Sequence, residues 1–162
     1  MVNGIGEGLG RWFTRRGFTG VHELRWWDSV AVGPLEITMT PARHWSKRGV
    51  FDTNRSLWGG FVVEGGGAAV YHAGDTGVFA DMAFIGSYYQ PHLALLPIGG
   101  HYTMDPAHAA YAVRELLKTP TVVPMHYGTF PPLKGTPGQF KEALGDYGGD
   151  VVVMEPGETR TF

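Results

Sequence analysis

Apolar and polar residues alternate along the first half of the chain, and a period of two predicts β-strands. Residues 21–26 (VHELRW) and 35–40 (LEITMT) both follow this pattern, and the turn sequence VGP separates them. They predict an antiparallel hairpin with one face in water. After a polar loop from Ala42 to Ser56, residues 57–64 (LWGGFVVE) and 68–72 (AAVYH) predict a second strand pair, because the intervening GGG forms a turn that glycine adopts easily.

Helical periodicity appears only in the second half of the chain. Residues 79–89 predict a helix with four side chains facing the core, namely Phe79, Met82, Ala83 and Tyr89. The segment DPAHAAYAVRELLK predicts another, with Asp105 as N-cap, Pro106 in the first helical position and Lys118 at the end. Its apolar face consists of Ala109, Val113, Leu116 and Leu117. The segment PGQFKEAL predicts a third, short helix.

Short apolar runs lie between and after these helices and predict buried strands. They are LALLPI, TVVPMH and DVVVME. The chain thus begins with strands and continues with alternating helices and strands, an order that predicts a single α/β (α+β layered) domain over residues 1–162, with a mixed sheet.

Composition narrows the possible chemistry. The formal net charge of −2 gives no general reason to expect a nucleic-acid partner. Since the chain has no cysteine, a metal ion would have to be held by His, Asp and Glu. The first residues lack the features of a secretion signal, and no apolar window of about 18 residues occurs, so we expect a soluble, cytoplasmic protein without a transmembrane segment.

Three potential metal ligands stand where predicted strands end. His44 follows ITMTPAR, Asp75 follows AVYHAG between two glycines, and His126 closes TVVPM. Such residues serve either as polar caps of turns or as ligands, and imidazole with carboxylate suits Zn²⁺ in a site without sulfur. If all three converge on one sheet edge, the second interpretation holds.

Four segments of the chain resemble one known family. These segments are similar to metal-dependent hydrolases of the metallo-β-lactamase fold. They are PARHWSKRG with the following NRSLWGGFVVE, YHAGDTGVFADMAFIG, LALLPIGGHYTMDPAHAA and VVPMHYGTFP. The nearest branch comprises lactonase-like hydrolases and phospholipases that cleave N-acylphosphatidylethanolamine. The resemblance extends from about Trp26 to Glu158.

The resemblance implies a site with two metal ions. It makes His44 a ligand of one ion, His126 a ligand of the other and Asp75 the bridge between them. Such ions, Zn²⁺ or alternatively Mn²⁺ or another divalent metal, share a hydroxide that attacks an ester, lactone or phosphodiester. His101 is implied as a substrate or leaving-group contact. In the phospholipase branch, however, the functional histidine falls nearer Asp105, where this chain has Thr103.

The signature HxHxDH, which supplies most ligands in this fold, is absent from the 162 residues. We therefore expect the C-terminal half of an αβ/βα sandwich, with helices on one face of the sheet. Either the sequence is a truncated form of a longer product, as the mid-domain character of GEGLGRWFTRRGF favours, or a complementing chain supplies HxHxDH. A half-fold would expose apolar sheet surface and tend to form homo-oligomers. The chain could instead be a catalytically inert fragment or interaction module.

Other residues carry weaker signals. The segment from Arg43 to Arg55, with Lys47 and Arg48, forms a basic rim that could attract an anion, or is simply solvated surface. Four tryptophans could line an acyl groove or be buried, namely Trp26, Trp27, Trp45 and Trp58. His72 is a possible partner of a ligand. Neither a nucleotide-binding loop nor a G-x-S-x-G serine elbow is present.

Overall fold

A seven-stranded mixed sheet is the centre of the computed structural model, which describes residues 4–47 and 49–162. The strands within these residues are β1 (Gly4–Gly6), β2 (His22–Leu24), β3 (Ser29–Val32), β4 (Leu35–Thr40), β5 (Gly60–Gly65), β6 (Ala68–His72), β7 (Leu93–Pro97), β8 (Thr121–Met125) and β9 (Asp150–Val151). The large sheet has the order β3-β4-β5-β6-β7-β8-β9. Its strands are antiparallel from β3 to β6 and parallel from β6 to β9.

Four helical segments accompany the strands. They are α1 (Gly10–Thr14), α2 (Met82–Phe84), α3 (Pro106–Tyr111) and α4 (Pro137–Leu144). Two of them continue as wider π-helical turns, α2 through Ile85–Tyr89 and α3 through Ala112–Leu117. Within the described part of the chain, no helix has the length and apolar character needed to cross a membrane.

The main hydrophobic core lies between one face of the large sheet and α2, α3 and α4. Alternate strand residues such as Tyr71, Leu96 and Val122 point into it and are fully buried, and they meet Val113 and Phe140 from the helices. Helices on one face of a mixed sheet were predicted, and this layer confirms them. The N-terminal segment lies on the other face.

The predicted first hairpin has the wrong partner. Residues 21–26 do not pair with β4; their central part forms β2, which pairs in parallel with β1. Trp27 has a left-handed backbone (φ 73°) and the chain turns there, so a new strand starts at Ser29. Since Gly33 and Pro34 form a two-residue turn that joins Val32 directly to Leu35, β3 is the partner of β4.

The second hairpin is confirmed. Gly65 pairs with Ala68, and the two residues between them, Gly66 and Gly67, have φ values of 61° and 82°. Side chains rarely adopt two successive left-handed conformations, so this turn depends on glycine.

The helix predicted over residues 79–89 begins later, at Met82, and from Ile85 it continues as a π-helical turn. Met82 and Ile85 are fully buried, whereas Ala83 is exposed, so its predicted core position is wrong. Met82 and Ile85 lie three residues apart and share one face, which leaves Ala83 on the solvent side. Phe79 and Tyr89 are partly buried against the core.

The capped helix that follows β7 is confirmed. The Asp105 carboxylate accepts a hydrogen bond of 2.8 Å from the His108 backbone N–H, and Pro106 occupies the first turn. The last predicted strand is shorter than expected, since β9 contains only Asp150–Val151.

Gly86 is the contact point of the two π-helical segments. A Cβ atom there would lie 2.6 Å from the Leu117 carbonyl oxygen, so an alanine must push the helices apart. We expect Gly86→Ala to lower the free energy of unfolding by about 1–3 kcal/mol, measured by urea denaturation.

Gly138 in α4 provides the matched control, because a Cβ atom there would meet only the Thr136 Oγ1 atom at 3.9 Å. Gly138→Ala should raise the free energy of unfolding by roughly 0.5–1 kcal/mol. Equal effects of the two substitutions would contradict the close helix packing.

Candidate metal centre

Strand direction brings the three predicted ligands to one edge of the sheet. The strands β4 and β6 are each antiparallel to β5, so they run the same way, and β7 and β8 run parallel to β6. The C-terminal ends of β4, β6 and β8, which lead into His44, Asp75 and His126, therefore share an edge. Asp75 and His126 meet at this edge, whereas His44 shares only a cavity with Asp75.

Asp75 lies between the other two candidate ligands in chain order and is close to His126. Its Oδ1 atom lies 3.6 Å from Nε2 of His126. It also lines a cavity of about 630 Å³ together with His44. The carboxylate is thus the central member of the set, the position that a bridging ligand would need.

His126 is held in an uncommon conformation. Its φ is 55°, in the left-handed region, and its ring Nδ1 is buried without a hydrogen-bond partner. Both features cost stability. The same conformation directs Nε2 toward Asp75, at a cost to stability.

The His44 ring has a defined tautomer. Its Nδ1 atom is 2.9 Å from the Trp45 carbonyl oxygen, which can only accept, so Nδ1 carries the hydrogen. Nε2 of the neutral ring then has a free lone pair, the form in which imidazole binds a metal. The ring stacks on Trp45 with centroids 4.1 Å apart, which fixes its plane.

The turn that carries Asp75 requires glycine. Gly74 has a φ of 64°, and a Cβ atom there would lie 2.7 Å from the Gly59 carbonyl oxygen. Its N–H donates to Nδ1 of His72 at 3.1 Å. Desolvation on the sheet lowers the pKa of His72 from its usual value, so the ring stays neutral with its hydrogen on Nε2. His72 therefore supports the turn instead of offering a ligand atom.

His101 lies beside this edge but lines a different cavity. It follows β7 with a φ of 66° and borders a space of about 780 Å³ with Asp105 and Lys134. Aromatic rings connect it to His44, because the ring of Tyr102 lies 3.9 Å from that of His101 and 4.8 Å from that of Trp45. Its predicted role as a substrate contact stays a prediction.

The cavity beside His44 has apolar walls that sequence patterns did not identify. They come from β1, α1, β4, β5 and the segment before β5, and comprise Ile5, Leu9, Phe13, Met39, Leu57, Trp58 and Phe61. The N-terminal contributors stand outside any clear periodic pattern, so no sequence signal pointed to them.

Two of the four tryptophans belong to this cavity. Trp45 and Trp58 line it, and the Trp58 indole N–H donates to the Ala42 carbonyl at 2.9 Å. Trp27 instead packs against Phe84, with ring centroids 5.1 Å apart. Lys47 supplies a positive charge at the cavity, whereas Arg48 lies outside the described residues.

The donor set fits a divalent metal in type but not in number. Two imidazoles and one carboxylate are suitable ligands for Zn²⁺, and the unpaired Nδ1 of His126 and free Nε2 of His44 are open to a partner. Over residues 4–47 and 49–162, however, no three His, Cys, Asp or Glu residues are grouped closely enough to hold an ion. The described residues therefore do not complete a metal site by themselves.

Comparisons with known proteins agree with this architecture. A beta-lactamase superfamily domain model matches residues 3–127. A "UPF0173 metal-dependent hydrolase" of Ignicoccus hospitalis is 52% identical over 136 residues, which are 83% of this chain and 55% of that protein. The chain spans about half the length of the curated relatives it matches, from 38% to 65%.

Solved structures show the same fold. A metallo hydrolase of Ignicoccus hospitalis, Igni18, superposes with a TM-score of 0.83 at 43% identity, over 98% of this chain and 67% of that one. A candidate Zn-dependent hydrolase of the metallo-beta-lactamase superfamily from Thermotoga maritima gives a TM-score of 0.59 at 25% identity, over 83% of this chain and 72% of that one.

These matches correct the extent of the predicted resemblance. The family model begins at residue 3, not near Trp26, so the chain is not the C-terminal half only. The physical reason is that β1 packs on the sheet face away from α2–α4, where Gly4 lies against Ile37 and Phe61. The N-terminal residues thus contribute to the opposite layer. The chain belongs to the beta-lactamase superfamily domain family, and its fold is the metallo-β-lactamase fold.

Proposed function

We propose that this chain forms part of a metal-dependent hydrolase that cleaves an ester, a lactone or a phosphodiester. The observation that carries the proposal is the pair formed by Asp75 and His126, 3.6 Å apart, at the edge where His44 offers a free Nε2 atom. The names of the relatives support a hydrolase that depends on a metal.

Each residue has a defined part in this proposal. His44 and His126 would each hold one ion through an imidazole nitrogen, and Asp75 would be a ligand of both. Zn²⁺ suits the donors, and Mn²⁺ or another divalent ion is an alternative. When bound, the metal pair supplies Lewis-acid polarisation of the carbonyl or phosphoryl group under attack.

The remaining ligands have to come from an HxHxDH segment, which these 162 residues do not contain. A longer form of the protein or a complementing chain would supply it. Both possibilities agree with the observation that the chain spans only 38% to 65% of the length of the curated relatives. A homo-oligomer would cover the apolar sheet face opposite α2–α4.

The cavity beside His44 indicates what the substrate looks like. Its apolar wall includes Met39, Leu57 and Phe61, and Lys47 supplies a positive charge. These features suit a small molecule or lipid with an apolar group next to an ester or phosphoester. We propose His101 as the leaving-group contact, and its ring contact with Tyr102, which in turn touches Trp45, supports this role.

A second candidate is a catalytically inert fragment or interaction module. The observation that favours it is the absence, within the described residues, of a group of three ligands that could hold an ion. Metal binding by the chain itself separates the two candidates.

Zinc binding and hydrolysis by the purified chain test the proposed function. Because the described residues supply only part of the proposed ligand set, we expect weak zinc binding in equilibrium dialysis, and at least about a tenfold further loss of zinc affinity in His126→Ala, which removes one imidazole ligand. Elemental analysis gives the metal content, and generic lactone and phosphodiester substrates give the rate.

His108→Ala is the control, since this histidine lies on α3 away from the edge with its side chain 63% exposed. It should leave zinc affinity unchanged. Less than about a tenth of an ion per chain, with no hydrolysis, would support the inert candidate instead.

The strained backbone of His126 gives a test that needs no metal. Asn adopts φ values near 55° more readily than His, and its amide keeps a polar atom close to the position of the buried, unpaired Nδ1 atom. We expect His126→Asn to equal the original chain in stability or exceed it by up to about 1 kcal/mol in urea denaturation.

Lys118→Asn is the matched comparison, because Lys118 has a φ of 51° at a helix end and is exposed. The account would be contradicted if Lys118→Asn raised the free energy of unfolding while His126→Asn lowered it by more than about 1 kcal/mol. His126 would then stabilise the fold and would not be strained for function.

A further inference from the structure

The Thr76 hydroxyl connects two segments that carry predicted ligands. Thr76 directly follows Asp75 and is fully buried. Its Oγ1 atom accepts a hydrogen bond of 2.9 Å from the backbone N–H of Arg43, the residue before His44. The same hydroxyl donates to the Gly77 carbonyl at 2.7 Å. One side chain therefore ties the His44 segment to the Asp75 turn.

Backbone hydrogen bonds extend this connection. The Gly77 N–H donates to the Arg43 carbonyl at 3.0 Å, which completes a bridge between the two segments. The Thr76 carbonyl accepts from the Met104 N–H at 2.9 Å, and the Met104 carbonyl accepts from the Gly100 N–H at 2.9 Å. The loop that contains His101 is thereby attached to the same residue.

We propose that Thr76 is a positioning residue that holds the segments of His44, Asp75 and His101 in one arrangement. The part of this inference that concerns metal rests on the proposed function, whereas the part that concerns the three segments does not. Thr76 offers no atom to a ligand itself, because its hydroxyl is used by Arg43 and Gly77.

The hydroxyl is required because it is both a hydrogen-bond acceptor and a hydrogen-bond donor. It accepts from Arg43 in the His44 segment and donates to Gly77 in its own turn, and burial leaves no water to replace either bond. Valine has nearly the same shape but neither function, so Thr76→Val releases the Arg43 N–H. Serine retains the hydroxyl, so Thr76→Ser should restore the connection.

Thr119 offers a matched control at the opposite end of the sheet. It is also buried, with 1% of its surface exposed, and its Oγ1 atom donates to the Pro91 carbonyl at 2.8 Å. Thr119→Val therefore removes a comparable buried hydroxyl, but just before β8 rather than after β6.

Amide hydrogen exchange followed by NMR tests the connection directly. In Thr76→Val we expect the N–H groups of Arg43, Gly77 and Met104 to exchange at least roughly tenfold faster, with recovery in Thr76→Ser and no change in Thr119→Val. The Gly77 and Met104 N–H groups do not bond the hydroxyl, so their exchange reports whether the segments separate. Faster exchange at Arg43 alone would overturn the proposal and leave Thr76 a local turn residue.

Zinc titration by calorimetry tests the consequence for the metal. Zinc alone should bind Thr76→Val about tenfold more weakly than the original chain, and Thr119→Val and Thr76→Ser as tightly. Equal zinc affinity in Thr76→Val would overturn the positioning role toward the metal. If the original chain binds no zinc, the proposed function fails, while the exchange result still decides whether Thr76 connects the segments.

A measurement on the unmodified chain covers the case in which Thr76→Val does not fold. Residues that open together share one dependence of exchange rate on urea concentration. We expect the N–H groups of Arg43, Gly77 and Met104 to share it below the unfolding transition. Three different dependences would overturn the proposal.

Discussion

The shared direction of β4, β6, β7 and β8 is the constraint on which the candidate site depends. Strands that run the same way end at the same edge, so residues far apart in sequence become neighbours there. His44, Asp75 and His126 are separated by 31 and 51 positions, yet Asp75 contacts one and shares a cavity with the other. No local sequence feature could bring them together without this topology.

The stability of the sheet permits local strain at that edge. His101 and His126 have left-handed backbones, although their side chains disfavour them, and His126 buries an unpaired nitrogen. The core between the sheet and α2, α3 and α4 contains fully buried side chains such as Tyr71 and Phe140. A well-packed core of this kind can offset the cost of a few strained residues where ligands are positioned.

Much of the architecture could be predicted because the deciding interactions are local. The glycine turn between β5 and β6 and the Asp105 cap depend on residues within a few positions of each other. The position of ligands after strand ends was also readable, since each follows an apolar run. Their roles as ligands came from the family resemblance and stay a prediction.

The errors arose where distant contacts decide the outcome. The partner of β4 depends on the left-handed turn at Trp27, and β2 finds its partner in β1, for which the sequence showed no pattern. The tautomer of His44 and the connections of Thr76 depend on backbone atoms of other segments, which no sequence pattern specifies. The apolar cavity wall from α1 was missed for the same reason.

The central claim is that His44 and His126 each hold a metal ion at one sheet edge. Titration with Co²⁺, followed by proton NMR of the imidazole rings, tests this claim most directly, because a paramagnetic ion gives by far the largest shifts to the rings that coordinate it. The account predicts very large shifts for the ring signals of His44 and His126 and much smaller ones for those of His22 and His108. Unshifted signals from His44 and His126 at saturating Co²⁺ would contradict it.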